Sequence, residues 1–489
     1  MSMNTTIEYI DARHLLSRAG FGFSPQNELL VSRKDKKEIL KLIFDESKKL
    51  QLFTEIPSPK EPARIMDKTE MTPEIRKMNQ EKQRQMRQEI DAMNIQWLKH
   101  MQESIFGLRQ KMTLFWHGHF ACRVPNSYFM QQYYNDLNTH ALGNFGELLL
   151  AVSKSPAMLQ YLNNQQNRKA HPNENFGREV MELFTLGRGK YTEDDIREGA
   201  RAFTGWGASP EGEFEFREKQ HDEGVKTFLG KTGNFNGDDI LSIILQQSQT
   251  AIFITEKILR FLVNQAPDPM VVEELARSFR KSNYDISRLL HDIFSSSWFY
   301  NTENRGILIK SPVELLSNIC RVSHVSVQRP EVLIQFEKLL GQELFNPPNV
   351  AGWKGGTAWI DSSSMMMRLR LPEILFYDKE FMAQAKVNGA DLDSDFAAAQ
   401  SSQEGINENY LKQASQRVSA TLDWDPYLRL FDAVPQEKLF DKIVALHINT
   451  DKSGVNKDLV ESKINTADRD LYIKGVTTLI MSTPQFQLG

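Results

Sequence analysis

Two histidines separated by one glycine, His117 and His119, close an apolar run that includes Met112, Leu114 and Phe115. Residues two apart cannot share a helix face, but at a helix end they can converge, with Gly118 lending backbone freedom. Imidazoles joined by carboxylates form a ligand set for a divalent metal, and Glu179 or Glu182, with His171 or His221, would complete it. The expected cofactor is therefore a single divalent metal ion of unassigned identity. The same pattern also describes two hydrogen-bonded histidines beside a core.

The densest group of ionisable residues runs from His171 to Trp206. A first helix is expected from an Asn173 N-cap to a Gly187 C-cap, with Asn175, Glu179 and Glu182 on one stripe, Arg178 beside it, and Phe176, Val180, Leu183 and Phe184 on the apolar face. Glu179 lies nearest the apolar boundary, where a carboxylate is partly desolvated, so its proton affinity should be perturbed. A second helix begins at Thr192, with Asp195 reaching back as in a capping box and Glu193 and Asp194 complementing the helix dipole. Arg197 and Arg201 are left either solvated or paired with carboxylates of the first helix.

His221 and Asp222 form an orienting pair for acid and base work, with Lys226 as a nearby positive charge. Turn chemistry alone also accounts for Asp222 and Gly224. The run Asn346-Pro347-Pro348-Asn349 through Gly356 must be an ordered non-helical loop, whose Trp353, with Trp359 nearby, would line a sugar or aromatic pocket or cap the core. Arg18 to Phe23 contains two glycines but no preceding strand and no GxGxxG or GK[ST] pattern, so no nucleotide cofactor is expected. The chain also lacks G-x-S-x-G and H-E-x-x-H motifs.

The elements that must position these residues are mostly helices. Thr72-Pro73 opens a long polar segment that turns apolar at Ile90, Met93, Trp97 and Met101, which predicts one long helix or two collinear ones, solvated first and buried later. Further helices are expected at Gln249–Asn264, Asp285–Phe299 and Ser311–Val322. The main strand signal is the alternation of Phe214 and Phe216 with charged residues, with His221–Gly224 as the hairpin turn. The expectation is a mainly α, multi-helical, single-lobed globular protein with a small β-hairpin insertion. It forms one domain over residues 1–489, with Ala385–Gln416 a mobile insertion and the apolar helices of Tyr427–Gln487 packing back on the main lobe.

With 489 residues, 40% of them hydrophobic and 25% charged, the chain falls in the ordinary globular class. A formal charge of −4, with bases and acids interleaved, argues against nucleic-acid partners. Cys122 and Cys320 are too few and too far apart for a disulfide framework or a thiolate zinc site. No window is long and apolar enough for a membrane span, and the first residues do not read as a signal peptide. As written the chain is expected in the cytoplasm, and a leader removed from it would imply export instead.

Six segments taken together, HLLSRAGFGFSP at His14, KMTLFWHGHFA at Lys111, NENFGREVMELFTLG at Asn173, YTEDDIREGARAFTGW at Tyr191, HDEGVKTFLG at His221 and PPNVAGWKGGTAWI at Pro347, resemble the bacterial domain of unknown function 1800 family in order and spacing. The resemblance covers nearly the entire chain and implies a largely helical protein without an established activity. It also implies genes placed beside a protein that resembles secreted sulfatases and phosphatases, and export signals in many members, which this chain does not show. It supplies no catalytic residues.

From the residues alone, the expected function is metal-assisted hydrolysis, or related enzymology, of an unidentified substrate, with a polymer among the candidates. His117 and His119 would hold the metal, and Glu179, Glu182, His221 and Asp222 would serve the chemistry. Asn175, Arg178, Lys226 and Trp353 would bind substrate. The alternative is a non-enzymatic scaffold or accessory protein, acting beside the sulfatase- or phosphatase-like protein, in which the charged motifs are structural ion-pair networks.

Overall fold

The long polar segment forms a single helix, Pro73–Glu103, capped by the Thr72 hydroxyl, which accepts from the Ile75 amide at 3.3 Å. Its first half is exposed, and Met93, Asn94, Trp97, Leu98 and Met101 are buried towards its end. The last carbonyls of a helix have no partner in the helix itself. Here one fully buried guanidinium supplies it: Arg321 donates to the carbonyls of Met101 at 2.9 Å, Gln102 at 3.2 Å and Ile105 at 2.8 Å, and also to that of Ser104. A positive charge at that end is favoured by the helix dipole as well. In this computed structural model the described residues are 7–32, 34–59, 72–377, 380–382, 415–417, 420–450 and 454–489.

The central helix is Leu108–His119, buried along nearly its whole length, and this requires its polar members to be satisfied internally. Trp97 Nε1 donates to Gln110 Oε1 at 2.8 Å, and Trp116 Nε1 donates to the Ala141 carbonyl at 2.9 Å. Rings pack on both sides of this helix: Trp97 lies edge-on to Tyr134 and tilted to Phe345, and the helix's own Trp116 stacks on Phe120 and lies tilted to Phe145. The expected helices appear as Ser248–Leu262, Ile286–Ser295 with Asp285 as its cap, and Pro312–Val322 with a Ser311–Glu314 capping box. The second of these stops at Ser295, and Trp298–Tyr300 forms a separate 3₁₀ turn.

The β content differs from expectation in its pairing. Phe214–Phe216 pairs antiparallel with Trp206–Ala208, upstream of it, and Lys226–Phe228 pairs with Lys231–Gly233. There are thus two small hairpins, and His221–Gly224 is the connection between them rather than a hairpin turn. The second hairpin turns at Leu229-Gly230, both with positive φ. Trp206–Ala208 follows closely on the helix Glu193–Ala202 and has no apolar–polar alternation of its own.

The molecule is mainly helical and globular, and the described residues form only short two-stranded sheets. Near its end, the helices Leu439–His447 and Arg469–Met481 are joined by the Tyr427 hydroxyl, 2.9 Å from His447 Nε2 and 2.8 Å from Thr477 Oγ1. The following residues bond back to the middle of the chain, Lys310 N to the Gln487 carbonyl at 2.9 Å and Gly489 N to that of Leu308 at 2.8 Å. Most of the expected insertion Ala385–Gln416 lies outside the described residues, apart from Ser415–Arg417, which pairs with Glu380–Met382. No helix among the described residues is long and apolar enough to cross a membrane.

Candidate functional site

His117 and His119 point to different partners. His117 Nε2 accepts from the Phe345 amide at 3.1 Å, inside a cage of Trp97, Tyr133, Phe345 and Trp353. Burial lowers its pKa to about 3, so the ring is neutral. His119 donates through Nε2 to the Phe184 carbonyl at 3.1 Å and accepts at Nδ1 from Lys257 Nζ at 3.2 Å. Burial first, then the Lys257 charge, keep it neutral as well. No group of three or more His, Cys, Asp or Glu able to hold a metal stands among the described residues. The expected convergence of the histidine pair with Glu179 or Glu182 is not what the geometry places there.

The acidic helix pair forms surface networks. Arg178 pairs with Glu174 at 3.2 Å and Glu193 at 3.0 Å, not with Glu179. Glu182 accepts from Arg188 Nε and the Tyr191 hydroxyl, both at 2.8 Å, and these bonds hold its carboxyl below the usual range. Glu179 is raised, by burial first and by Glu182 second. Asn175 donates to the Leu162 carbonyl at 3.2 Å. The helix expected to run unbroken to Gly187 is α-helical only over Asn175–Glu179 and widens to a π-helix over Val180–Thr185. Its last carbonyls, those of Leu183 and Phe184, accept from Lys257 and His119. The Thr192–Asp195 capping box is present, and Arg197 and Arg201 pair within or beyond their own helix, not with the preceding one.

The His221 loop is likewise internally satisfied. Asp222 binds Arg201 through both oxygens, at 2.8 and 3.1 Å, and this pair brings its pKa to about 2. His221 Nδ1 donates to the Thr204 carbonyl at 2.8 Å. Lys226 is buried and donates to the carbonyls of Asp222 and Gly224, at 2.5 and 3.0 Å. His221 and Asp222 are adjacent, yet each serves a different structural bond.

Three of the six motifs meet elsewhere. The glycine loop after the Tyr9–Ala19 helix, the Lys111, Leu114 and Phe115 side of Leu108–His119 and the Trp353 loop enclose a cavity of about 410 Å³, completed by Ser248–Leu262 and the start of Pro312–Val322. Close approach fixes two of its glycines. A Cβ on Gly20 would lie 1.8 Å from the Phe106 carbonyl oxygen, and one on Gly352, where φ is +72°, would lie 2.2 Å from that of Gly118. The loop therefore sits directly on the end of the central helix, and Trp353 reaches both His117 and the cavity.

The lining is strongly cationic for a chain of net charge −4: Arg18, Lys111, Lys257, Arg260, Lys310 and Lys354 face one acidic side chain, Glu314. Lys111 bonds Glu314, and although burial alone would raise that carboxyl, Lys111 and Ser311 hold it low. Lys257 lies 4.7 Å from the centre of the Phe253 ring and donates to the Leu183 carbonyl at 3.1 Å. Burial lowers its pKa to about 8. Arg260 is exposed and paired with Glu256, and Lys354 is exposed without an ion pair among the described residues.

Of the residues expected to act together, His119 and Trp353 line this cavity, whereas His117, Asn175, Arg178, Glu179, Glu182, His221, Asp222 and Lys226 do not. Lys111, Lys257 and Lys310 were missed because each borders an apolar run, where snorkelling gives the same pattern. Glu314 was hidden by its role at the third position of a capping box. No curated protein and no solved structure matches the chain. The description "Protein of unknown function (DUF1800)" matches residues 14–488, nearly the whole chain, and the protein belongs to that family.

Proposed function

We propose that this chain binds an anionic, ring-bearing ligand, such as a phosphate or sulfate ester of a sugar, in the cavity beneath the Trp353 loop. The observation that carries the proposal is the convergence of six basic side chains against one acidic side chain around about 410 Å³. A concave, partly apolar space with a few convergent polar groups is the usual form of a small-ligand site. Trp353 and Trp359 supply flat apolar faces for a ring, and the charges supply orientation and specificity.

A catalytic use of the same cavity is favoured by the contact of Lys257 with His119, because an amine with pKa about 8 can exchange a proton near neutral pH. Metal-assisted hydrolysis at His117 and His119 has less support, since their Nε2 atoms and His119 Nδ1 are already bonded to protein groups. The accessory alternative keeps its support in the Arg178 and Arg201 networks, and an anion-binding cavity is compatible with it.

Isothermal titration with glucose 6-phosphate tests the proposal. Trp353→Ala should weaken binding by about tenfold through lost ring contact, and Lys257→Gln by about tenfold or more through lost charge. Lys257 binds an anion as the ammonium, so wild-type affinity should fall as pH rises through about 8. His119 stays neutral across that range, and the pH effect should flatten in Lys257→Gln. Unchanged affinity in both variants would refute the assignment.

A further inference from the structure

Arg18, Lys111 and Lys310 line the cavity floor with exposures of 3%, 4% and 8%, and Arg368, at 0%, lies behind Lys310 and donates to its carbonyl. Glu314 is the carboxylate whose charge acts on all four. The remaining bonds of the group go to neutral acceptors. Arg18 donates to the Asn304 carbonyl at 2.7 Å, and Lys310 donates to Asn318 Oδ1 at 3.0 Å and to the Phe486 carbonyl at 2.7 Å. Arg368 donates to Gln487 Oε1 at 3.1 Å. Two buried donors of the group, Arg18 Nε and Arg368 Nη1, make no hydrogen bond at all.

Buried positive charge in excess of its counter-charge is costly, and an unpaired buried donor adds to that cost. Both costs fall when an anion occupies the floor. We infer that the cavity floor is a built oxyanion subsite, in which Arg18, Lys111 and Lys310 receive the phosphate or sulfate group of the ligand while its ring lies at the Trp353 end. This rests on the anionic-ligand proposal above and assigns the orientation of the ligand. The three bases arrive from three separate elements, so a tetrahedral group with three or four oxygens can meet all of them, whereas a planar carboxylate offers two. The Arg18 guanidinium contributes a donor fork suited to such a group. Burial lowers the pKa of Arg18 to about 9, and burial with the Arg13, Arg368 and Lys111 charges lowers that of Lys310 well below its usual value; an anion on the floor would raise both.

Isothermal titration of the full chain with inorganic sulfate and with inorganic phosphate tests the subsite. Wild type should bind both. Arg18→Lys keeps the charge but loses the fork and should weaken both by roughly tenfold. Glu314→Gln removes the competing carboxylate while keeping an acceptor for the Ser311 amide, and should tighten both by roughly tenfold. A gain of affinity cannot come from misfolding, so this variant stays informative if Arg18→Lys unfolds. Affinities unchanged in both variants, with glucose 6-phosphate still bound by wild type and weakened in Trp353→Ala, would overturn the subsite and leave the cavity assignment standing. Failure of wild type to bind sulfate, phosphate or glucose 6-phosphate would overturn both.

Discussion

Glu337 shows how a single buried group sets a pH dependence. Its Oε2 accepts from Asn94 Nδ2 at 2.7 Å and the Leu344 amide at 3.0 Å, while Oε1 is buried without a partner. Burial raises its pKa from 4.5 to about 8. In the folded state the proton is held up to about pH 8, whereas the unfolded chain releases it near 4.5, so stability falls as pH rises across that window. Glu337→Gln keeps the acceptor oxygen and removes the ionisation. Its melting temperature should exceed that of wild type by roughly 2–4 °C at pH 9 and match it near pH 4; a loss at pH 9 would show that the ionised carboxylate is wanted. Residue chemistry was legible in part. The partly desolvated position of Glu179 followed from helix register, but its separation from Arg178 did not, because Glu174 and Glu193 compete for that guanidinium at surface positions.

At the scale of elements, periodicity and caps were read well where they act locally. Thr72-Pro73 opened the long helix, Thr192 with Asp195 formed a capping box, and Ser311-Pro312 opened a further helix, since each signal lies within four residues. Strand pairing depends on a partner at a distance, and Trp206–Ala208 carried no strand signal of its own. The π-helical turn over Val180–Thr185 was equally silent: Lys257 and His119 hold its Leu183 and Phe184 carbonyls from other helices, and Thr185 Oγ1 donates to the Val180 carbonyl at 2.6 Å. Arg321 is the clearest long-range element contact. Arg321→Met should cost about 3 kcal/mol or more, because it strips the end of the Pro73–Glu103 helix of its buried partner. Chemical denaturation measures this, and a loss below about 0.5 kcal/mol would mean that the carbonyls find other donors.

The whole molecule hid its cavity from the sequence. The chain is acidic overall, and its cavity bases are scattered from Arg18 to Lys354, so neither composition nor any window signals a basic pocket. The most conspicuous motif, His171 to Trp206, supports the site only through two backbone carbonyls. The Trp353 loop could be seen as an ordered feature and the segment around Gly20 as glycine-containing, but their meeting over the end of the central helix required the fold. The measurement that decides most directly is the dissociation constant of glucose 6-phosphate for the full chain, taken beside those of glucose and inorganic phosphate at neutral pH. Ring and anion contacts acting in one cavity should make the ester bind at least about tenfold more tightly than either fragment. Binding of the ester no tighter than that of glucose or phosphate alone would contradict a cavity built for a charged, ring-bearing ligand.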